Sequence, residues 1–252
     1  MTDTLTPLHL AVVAAIFALG GFVKGVVGLG LPTIAMGLLS VLMLPAQAAA
    51  LLVVPSLVTN LWQIGGPGLR PLLLRLAPML AGVCAGAGLG AGWLTGSASA
   101  HATFGLGAAL IAYATLGLLE WRPRVAPRHE GWLGPAVGLA TGLVTAATGV
   151  FVIPAVPYLQ ALGMEKEDLV RALGVSFLVS TIVLGVALGS AGALAGATLG
   201  TSALALLPAL AGMGAGQWLR LRVRPEAFKT VFFCGLLALG AYLAVGSSLR
   251  LG

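Results

Sequence analysis

The feature that most constrains this chain is a succession of apolar segments joined by short loops. Most of the segments approach or exceed the roughly 20 residues that a helix needs to cross a bilayer. Hydrophobic residues make up 59% of the chain and charged residues only 8%, whereas a soluble domain averages about 25% charged residues. The sequence therefore predicts an all-α, polytopic membrane protein. Its apolar segments are 8–30, 32–44, 47–65, 71–94 and 101–119 and, after a polar linker, 132–149, 151–163, 169–189, 194–219 and 227–248.

A glycine-rich stretch from Gly20 to Pro32 interrupts the first apolar region. It contains five glycines and Lys24, although each glycine inside a helix costs about 1 kcal/mol relative to alanine. Proline suits the first turn of a helix, where no amide donor is needed. We therefore expect one helix to end near Gly28 to Gly30 and a second helix to begin at Pro32.

A second break, from Gly142 to Pro154, repeats the first at an offset of 122 residues. Further along each half, residues 78–89 and 208–219 match at seven of twelve positions. Two matching blocks in the same order indicate an internal duplication. We therefore divide the chain into a first membrane repeat (1–119), a linker (120–131) and a second membrane repeat (132–252).

Loop charges indicate how the repeats sit in the membrane. Positively charged loops tend to stay in the cytoplasm, which places there the linker 120–131 and the arginine-bearing loops 66–75 and 220–229. The uncharged loops 95–100 and 190–193 then lie outside. Because equivalent loops fall on opposite sides, we expect two inverted repeats, each a broken-helix hairpin plus three transmembrane helices. Both termini would lie outside.

The breaks and the polar residues within the apolar segments define a candidate binding site. Free amides at the start of a half-helix favour an anion, and inverted repeats place their sites near the midplane. Lys24 is the only charged residue well inside an apolar segment, where an ionisable group is costly and by default functional. The candidate substrate-binding residues are Lys24, Gly28, Gly30, Pro32, Thr33, Asn60, Gly149, Pro154, Ser176 and Thr181.

Each of these features also has a purely structural interpretation. The glycines could serve close helix packing, and the flexible stem of Lys24 could carry its charge to the membrane surface. Each hydroxyl could bond to a carbonyl of its own helix, which is what we expect for most of the serines and threonines.

The remaining residues argue against several classes of protein. All seven acidic residues lie in tails, loops or segment ends, which argues against cation substrates. No HExxH, CxxC or GxSxG motif occurs, so we expect no enzyme, metal site or cofactor. The arginines are not gathered with aromatic residues on a polar domain, so nucleic acid is not an expected partner. An anion leaving a negative-inside cell gains about 2.3 kcal/mol per charge per 100 mV, so export needs no coupling ion in principle.

The break closing on Pro32, its echo from Gly149 to Pro154, and the run from Arg171 to Ser176 resemble the sulfite exporter TauE/SafE family. This family is also called the toluene-sulfonate uptake permease group. The resemblance covers nearly the whole chain in length, layout and segment order. It implies transport of sulfur oxyanions or organosulfonates across the cytoplasmic membrane, often as export. The positions that match the motifs are Gly28, Gly30, Pro32, Gly149, Pro154 and Ser176.

We therefore predict a multi-pass protein of a bacterial-type inner membrane that transports, and most simply exports, small sulfur-containing anions by alternating access. Its partners would be the anion and the bilayer, with a homodimer as one option. Two alternatives fit the same sequence: a carrier of another small anion or a metal species, and a non-transporting membrane scaffold or assembly factor.

Overall fold

Helices account for nearly all of the chain that the structure describes. The computed structural model describes residues 7–66, 68–96, 99–119, 124–194, 196–220, 222 and 225–251. In the first half the helices are α1 (Pro7–Val27), α2 (Leu31–Leu42), α3 (Pro45–Gln63), α4 (Leu69–Leu89) and α5 (Ser99–Leu118). In the second half they are α6 (Pro127–Thr148), α7 (Ala155–Ala161), α8 (Lys166–Ser190), α9 (Gly196–Arg220) and α10 (Pro225–Leu251). The described residues thus confirm an all-α chain with five helices in each half.

Seven of the described helices are long and apolar enough to cross a membrane: α1, α3, α4, α5, α8, α9 and α10. Helix α6 has 22 residues, but its glycines and threonines lower its hydropathy. The helices α2 and α7 have 12 and 7 residues and are too short to span, as expected for the segments after the breaks. The chain is therefore a multi-pass membrane protein.

The first break follows the sequence prediction to within one residue. Helix α1 ends at Val27, and α2 begins at Leu31 rather than at Pro32. Gly28 and Gly30 have φ angles of 88° and 121°, a region that residues with a side chain rarely adopt. These two glycines therefore let the chain reverse so that α2 packs back against α1.

The second break is filled by bulky side chains. Gly149 ends α6 with a φ of 72°, and Pro154, which follows a cis peptide bond, precedes α7. Between them, Val150, Phe151 and Val152 are almost completely buried. This segment is part of the apolar core, in contrast to the glycine-lined turn of the first break.

Glycines bring helices from the two halves into backbone contact. Helix α1 packs against α9, and α6 packs in the equivalent way against α4. A Cβ atom added at Gly212 of α9 would overlap the carbonyl oxygen of Ala18, and one added at Gly138 of α6 would overlap that of Met79. Close approach of this kind is typical of small residues in membrane helices. The packing interpretation is thus correct for several glycines of the two breaks, among them Gly21, Gly25 and Gly142.

Helices α3 and α8 are the most buried of the seven spans and pack against each other. Pro55 has no amide hydrogen to donate to the carbonyl of Leu51, which would otherwise accept a helical hydrogen bond. The hydroxyl of Ser202 on α9 donates to that carbonyl oxygen at 2.8 Å and accepts from the amide of Val54 at 3.2 Å. Helix α9 therefore completes the hydrogen bonding of α3 at its proline.

An ion pair joins α4 to the first turn of α6. Arg75 donates from Nε and Nη2 to the two carboxylate oxygens of Glu130 at 2.9 and 2.7 Å, and from Nη2 to the carbonyl oxygen of Leu162 at 3.3 Å. The hydrogen bonds from Arg75 hold the pKa of Glu130 below its ordinary value. The pair therefore fixes the start of α6 and the end of α7 against α4 at one end of the bundle.

Candidate functional site

A cavity of about 210 Å³ lies between α1, α3, α8 and α9. It is formed by the last turns of α1, α3 and α9 and by the first turns of α8, so it lies at the end of the bundle where three of these helices finish. Two cationic side chains and three polar ones share its wall with apolar groups and backbone. The lining residues are Lys24, Gly25, Gly28, Thr59, Trp62, Gln63, Val170, Met213, Gln217 and Arg220.

Lys24 is held at this cavity by two residues of α3. Its side chain is only 3% exposed. Its Nζ donates to Thr59 Oγ1 at 3.1 Å and to Asn60 Oδ1. The amide nitrogen of Asn60 in turn donates to Thr181 Oγ1 on α8 at 3.5 Å. One chain of hydrogen bonds therefore connects α1 to both central helices.

The direction of each hydrogen bond in this chain is fixed by the hydroxyl groups. Thr59 donates its own hydroxyl hydrogen to the carbonyl oxygen of Pro55 at 2.7 Å. Thr181 donates its own to the carbonyl oxygen of Phe177 at 2.6 Å. Both hydroxyl oxygens are therefore acceptors toward the site, and Asn60 presents its oxygen to Lys24. The amino group of Lys24 therefore faces neutral acceptors.

Gln63 joins the first helix break to α8 at the cavity wall. Its amide nitrogen donates to the carbonyl oxygens of Gly28 at 2.8 Å and of Val170 at 3.1 Å. Its side-chain oxygen is buried and has no hydrogen-bond partner within the described structure. Gln63 therefore sets the position of the α1–α2 turn beside Lys24.

The electrostatic character of the cavity is positive. Its described lining includes Lys24 and Arg220 and no acidic residue. Farther along the first turns of α8, Arg171 pairs with Glu167 and Asp168 at 3.7 and 3.4 Å, so those carboxylates already face a cation. The cavity can therefore attract a small anion and offers no carboxylate to a metal cation.

The predicted site residues fall into two groups in the structure. Lys24 and Gly28 line the cavity, and Asn60 and Thr181 lie directly behind Lys24 in its hydrogen-bond chain. The other predicted residues are not among those that line the cavity: Gly30, Pro32, Thr33, Gly149, Pro154 and Ser176.

Hydroxyl groups mostly behave as the structural interpretation expects. Thr33 donates to the carbonyl oxygen of Gly30 at 3.0 Å, and Thr59 and Thr181 also bond to carbonyls of their own helices. Ser176 is different, because its hydroxyl is completely buried and has no partner within the described structure.

Eight lining residues were not among the predicted site residues: Gly25, Thr59, Trp62, Gln63, Val170, Met213, Gln217 and Arg220. Gln63 follows Asn60 by three positions, so helical spacing could have placed it on the same face of α3. Gln217 and Arg220 are likewise three apart on α9. Nothing in the sequence, however, tells that the end of α9 lies beside Lys24.

A second space, beside Ala146 of α6, is much smaller than the cavity beside Lys24. Ala146 occupies the position of Lys24 at the offset of 122 residues. The space beside it measures only about 10 Å³, between the ends of α4, α6 and α8. It is lined by Gly90, Ala91, Gly92, Leu94, Thr95, Ala146, Leu184, Ala187 and Leu188.

The helices and the cavity together define a multi-pass membrane protein with a cavity that contains a buried lysine and an arginine. The family model described as Sulfite exporter TauE/SafE matches residues 13–243. The chain therefore belongs to the sulfite exporter TauE/SafE family, a family of membrane transporters of sulfur-containing anions. In the comparisons with curated proteins and with solved structures, nothing matches.

Proposed function

We propose that this chain carries a small sulfur-containing anion, such as sulfite or an organosulfonate, and that the anion binds beside Lys24. The observation that carries this proposal is a buried lysine in a cavity whose described lining contains no acidic residue. A buried cation is costly unless a negative charge compensates it. A bound anion supplies that charge.

The size of the cavity suits such a ligand. Its volume of about 210 Å³ is well above the roughly 10–15 Å³ that one water molecule needs. An oxyanion of a few heavy atoms can therefore enter and place one oxygen at Lys24, with Arg220 at the same cavity as a second cationic group. A guanidinium can donate two parallel hydrogen bonds to two oxygens of such an anion.

We further propose that the two repeats are inverted and work by alternating access. The exchange of partners between halves, α1 with α9 and α6 with α4, supports a pseudo-twofold relation between repeats 1–119 and 132–252. The larger space beside Lys24 and the much smaller space beside Ala146 support a state that is open on one side only. Positive loops assign that side to the cytoplasm of a bacterial-type inner membrane, with the linker 120–131 inside and both termini outside.

The structure bears differently on two alternative functions, a carrier of a metal cation and a membrane scaffold or assembly factor. A carrier for a metal cation is disfavoured because the cavity is lined by two cations and no acid. A scaffold or assembly factor would use its surface and would not need a polar cavity around a buried lysine. A homodimer is compatible with either function and stays a prediction.

The test is transport by the purified chain in proteoliposomes. We expect uptake of labelled sulfite and methanesulfonate to exceed that of acetate. Lys24→Ala should lower the transport of the sulfur anions by about tenfold or more, because a hydrogen bond to a charged group contributes about 1.5–3 kcal/mol and 1.4 kcal/mol corresponds to tenfold.

The matched control is Lys229→Ala, which removes an exposed lysine of α10 and should leave the flux unchanged. If folded wild-type protein moves none of the three anions, the carrier function is wrong and the scaffold becomes the better account. Equal flux of acetate and of the sulfur anions would contradict the proposed substrate class.

A further inference from the structure

We propose that the site binds one proton together with each anion, so that the chain moves an anion and a proton across the membrane in the same direction. The proton carrier is Lys24. This inference rests on the proposed function, since it concerns the same cavity and the same anion, but it adds a second transported species and fixes which gradient drives transport.

The number of hydrogen-bond acceptors at Lys24 suits a neutral amine when the site is empty. The described partners of Nζ are two neutral oxygens, those of Thr59 and Asn60. A neutral amine has two N–H groups and satisfies both oxygens, whereas an ammonium has three N–H groups. The third N–H of the ammonium has no acceptor among the described protein groups, and an anion in the cavity can supply one.

Among the residues that the structure describes, no other group can take the role of the proton carrier at this position. The titratable residues that line the cavity are Lys24 and Arg220, and an arginine keeps its proton in proteins. At the start of α8, Arg171 pairs with Glu167 and Asp168. Glu165 and Lys166 are exposed and do not line the cavity. Helices α2 and α3 contain no titratable residue. On the other helices packed against α1, the described titratable side chains are Arg220 on α9 and, exposed on α10, Lys229, Cys234 and Tyr242.

Burial makes the proton and the anion bind cooperatively. An ammonium that is 3% exposed and has no carboxylate beside it is costly in a membrane protein. An anion offsets that cost, and by linkage a proton on Lys24 raises the affinity for the anion by the same factor. The binding step is amine plus proton plus anion giving an ammonium–anion pair, so the charge balances.

This scheme predicts electroneutral transport. At Lys24 the empty site carries no charge, and the loaded site carries an ammonium and an anion that cancel. A membrane potential therefore affects neither the crossing of the empty site nor that of the loaded site. A pH difference affects the loaded site, because its proton crosses with the anion. A permanently charged lysine would instead return empty with a positive charge, and transport would follow the potential.

The experiment uses the full-length chain in proteoliposomes with methanesulfonate, a strong acid that carries no proton of its own. Valinomycin and potassium set the potential, and entrapped pyranine reports the internal pH. We expect one proton to enter with each sulfonate. A difference of one pH unit should change the equilibrium accumulation of sulfonate tenfold, and a potential of 100 mV should leave it unchanged.

An accumulation that follows the potential, by about 50-fold per 100 mV for one net charge, and ignores the pH difference would overturn this inference. The proposed function would still stand in that case, because the anion would still move. If wild-type protein does not exchange labelled for unlabelled sulfonate at all, it is the proposed function itself that is wrong.

Lys24→Arg provides a second measurement, since it fixes a positive charge at the site. Exchange of labelled for unlabelled sulfonate requires only the loaded site and should persist in this variant. Its net accumulation should follow the potential instead of the pH difference. Net accumulation that still follows the pH difference in Lys24→Arg would rule out Lys24 as the proton carrier.

Discussion

At the scale of single residues, the site depends on Lys24 being held in place by neutral partners. The lysine lies in the last turn of α1, and its stem does not carry the charge to the surface, since the side chain is 3% exposed. Thr59 and Asn60 hold the nitrogen from α3, and Thr181 fixes the amide of Asn60 from α8. The position of this charge is therefore set by both halves of the chain.

Part of this arrangement could be predicted from the sequence. A lysine and an asparagine inside apolar segments stand out because burying them is costly, and Lys24 and Asn60 do meet. Gln63 and Arg220 lie at segment ends, where polar side chains ordinarily reach solvent. The spacing from Asn60 could have placed Gln63 on the same face of α3, whereas nothing marks Arg220 as a site residue. Ser176 follows the second break as predicted but does not line the cavity, because its face of α8 is set by tertiary packing.

Replacing Asn60 with aspartate tests whether the charge of Lys24 holds the anion. The carboxylate would pair with the ammonium and cancel the positive charge at the cavity. We expect Asn60→Asp to raise the KM for sulfonate by about tenfold or more, since losing 1.4 kcal/mol of binding corresponds to tenfold. Initial rates over a range of sulfonate concentrations measure this, and an unchanged KM would mean that the charge does not contribute to binding.

Gln47→Glu is the matched control for this change. Gln47 is exposed at the start of α3, the helix that also carries Asn60. Its side-chain oxygen accepts a hydrogen bond from the backbone amide of Leu44 at 3.2 Å. A carboxylate can accept the same hydrogen bond and is favourable at a helix N-terminus. The KM of this variant should equal that of the wild type.

At the scale of the helices, the glycines have two separate functions. Gly28 and Gly30 adopt positive φ angles and reverse the chain, whereas Gly21 and Gly25 contact the backbone of α9. The sequence shows the four-residue spacing that puts Gly21 and Gly25 on one face of α1. The sequence does not indicate which helix packs against this face, because α4, α6 and α9 also carry glycines at helical spacing.

Two glycines of α9 allow a matched test of this packing. Gly212 contacts the backbone of Ala18, and a Cβ there would overlap it, whereas a Cβ at Gly214 meets nothing within 4 Å. We expect Gly212→Ala to lower the unfolding free energy by about 1–3 kcal/mol through overpacking. Gly214→Ala should not lower it and should raise it by up to about 1 kcal/mol, because alanine is the better helix former and its Cβ meets nothing there.

Thermal unfolding of both variants in one detergent measures the difference. A lower Tm for Gly212→Ala alone would support the backbone contact between α1 and α9. Equal Tm values for the two variants would contradict it.

At the scale of the whole molecule, the sequence predicts the elements better than their partners. Two sets of five helices in the same order, with a break after the first helix of each, could be read from apolar segments and glycine positions. The pairing of α1 with α9 and of α6 with α4 could not, because backbone contact between distant segments leaves no local signal. The unequal cavities beside Lys24 and Ala146 depend on that pairing.

The measurement that tests the central claim most directly is the protection of the cavity by its ligand. Gln217→Cys, in a chain with Cys84→Ser and Cys234→Ser, places one thiol at the cavity wall. A membrane-impermeant thiol reagent should modify it from the cytoplasmic side of oriented vesicles. Methanesulfonate should slow the modification in a saturable way, and the protection should disappear when Lys24→Ala is added.

A thiol introduced at Ala91, in the much smaller space beside Ala146, serves as the control for sidedness. It should react slowly from the opposite side, and methanesulfonate should not protect it directly. If concentrations of sulfonate that saturate transport leave the modification of Gln217→Cys unchanged, the cavity beside Lys24 is not the anion site.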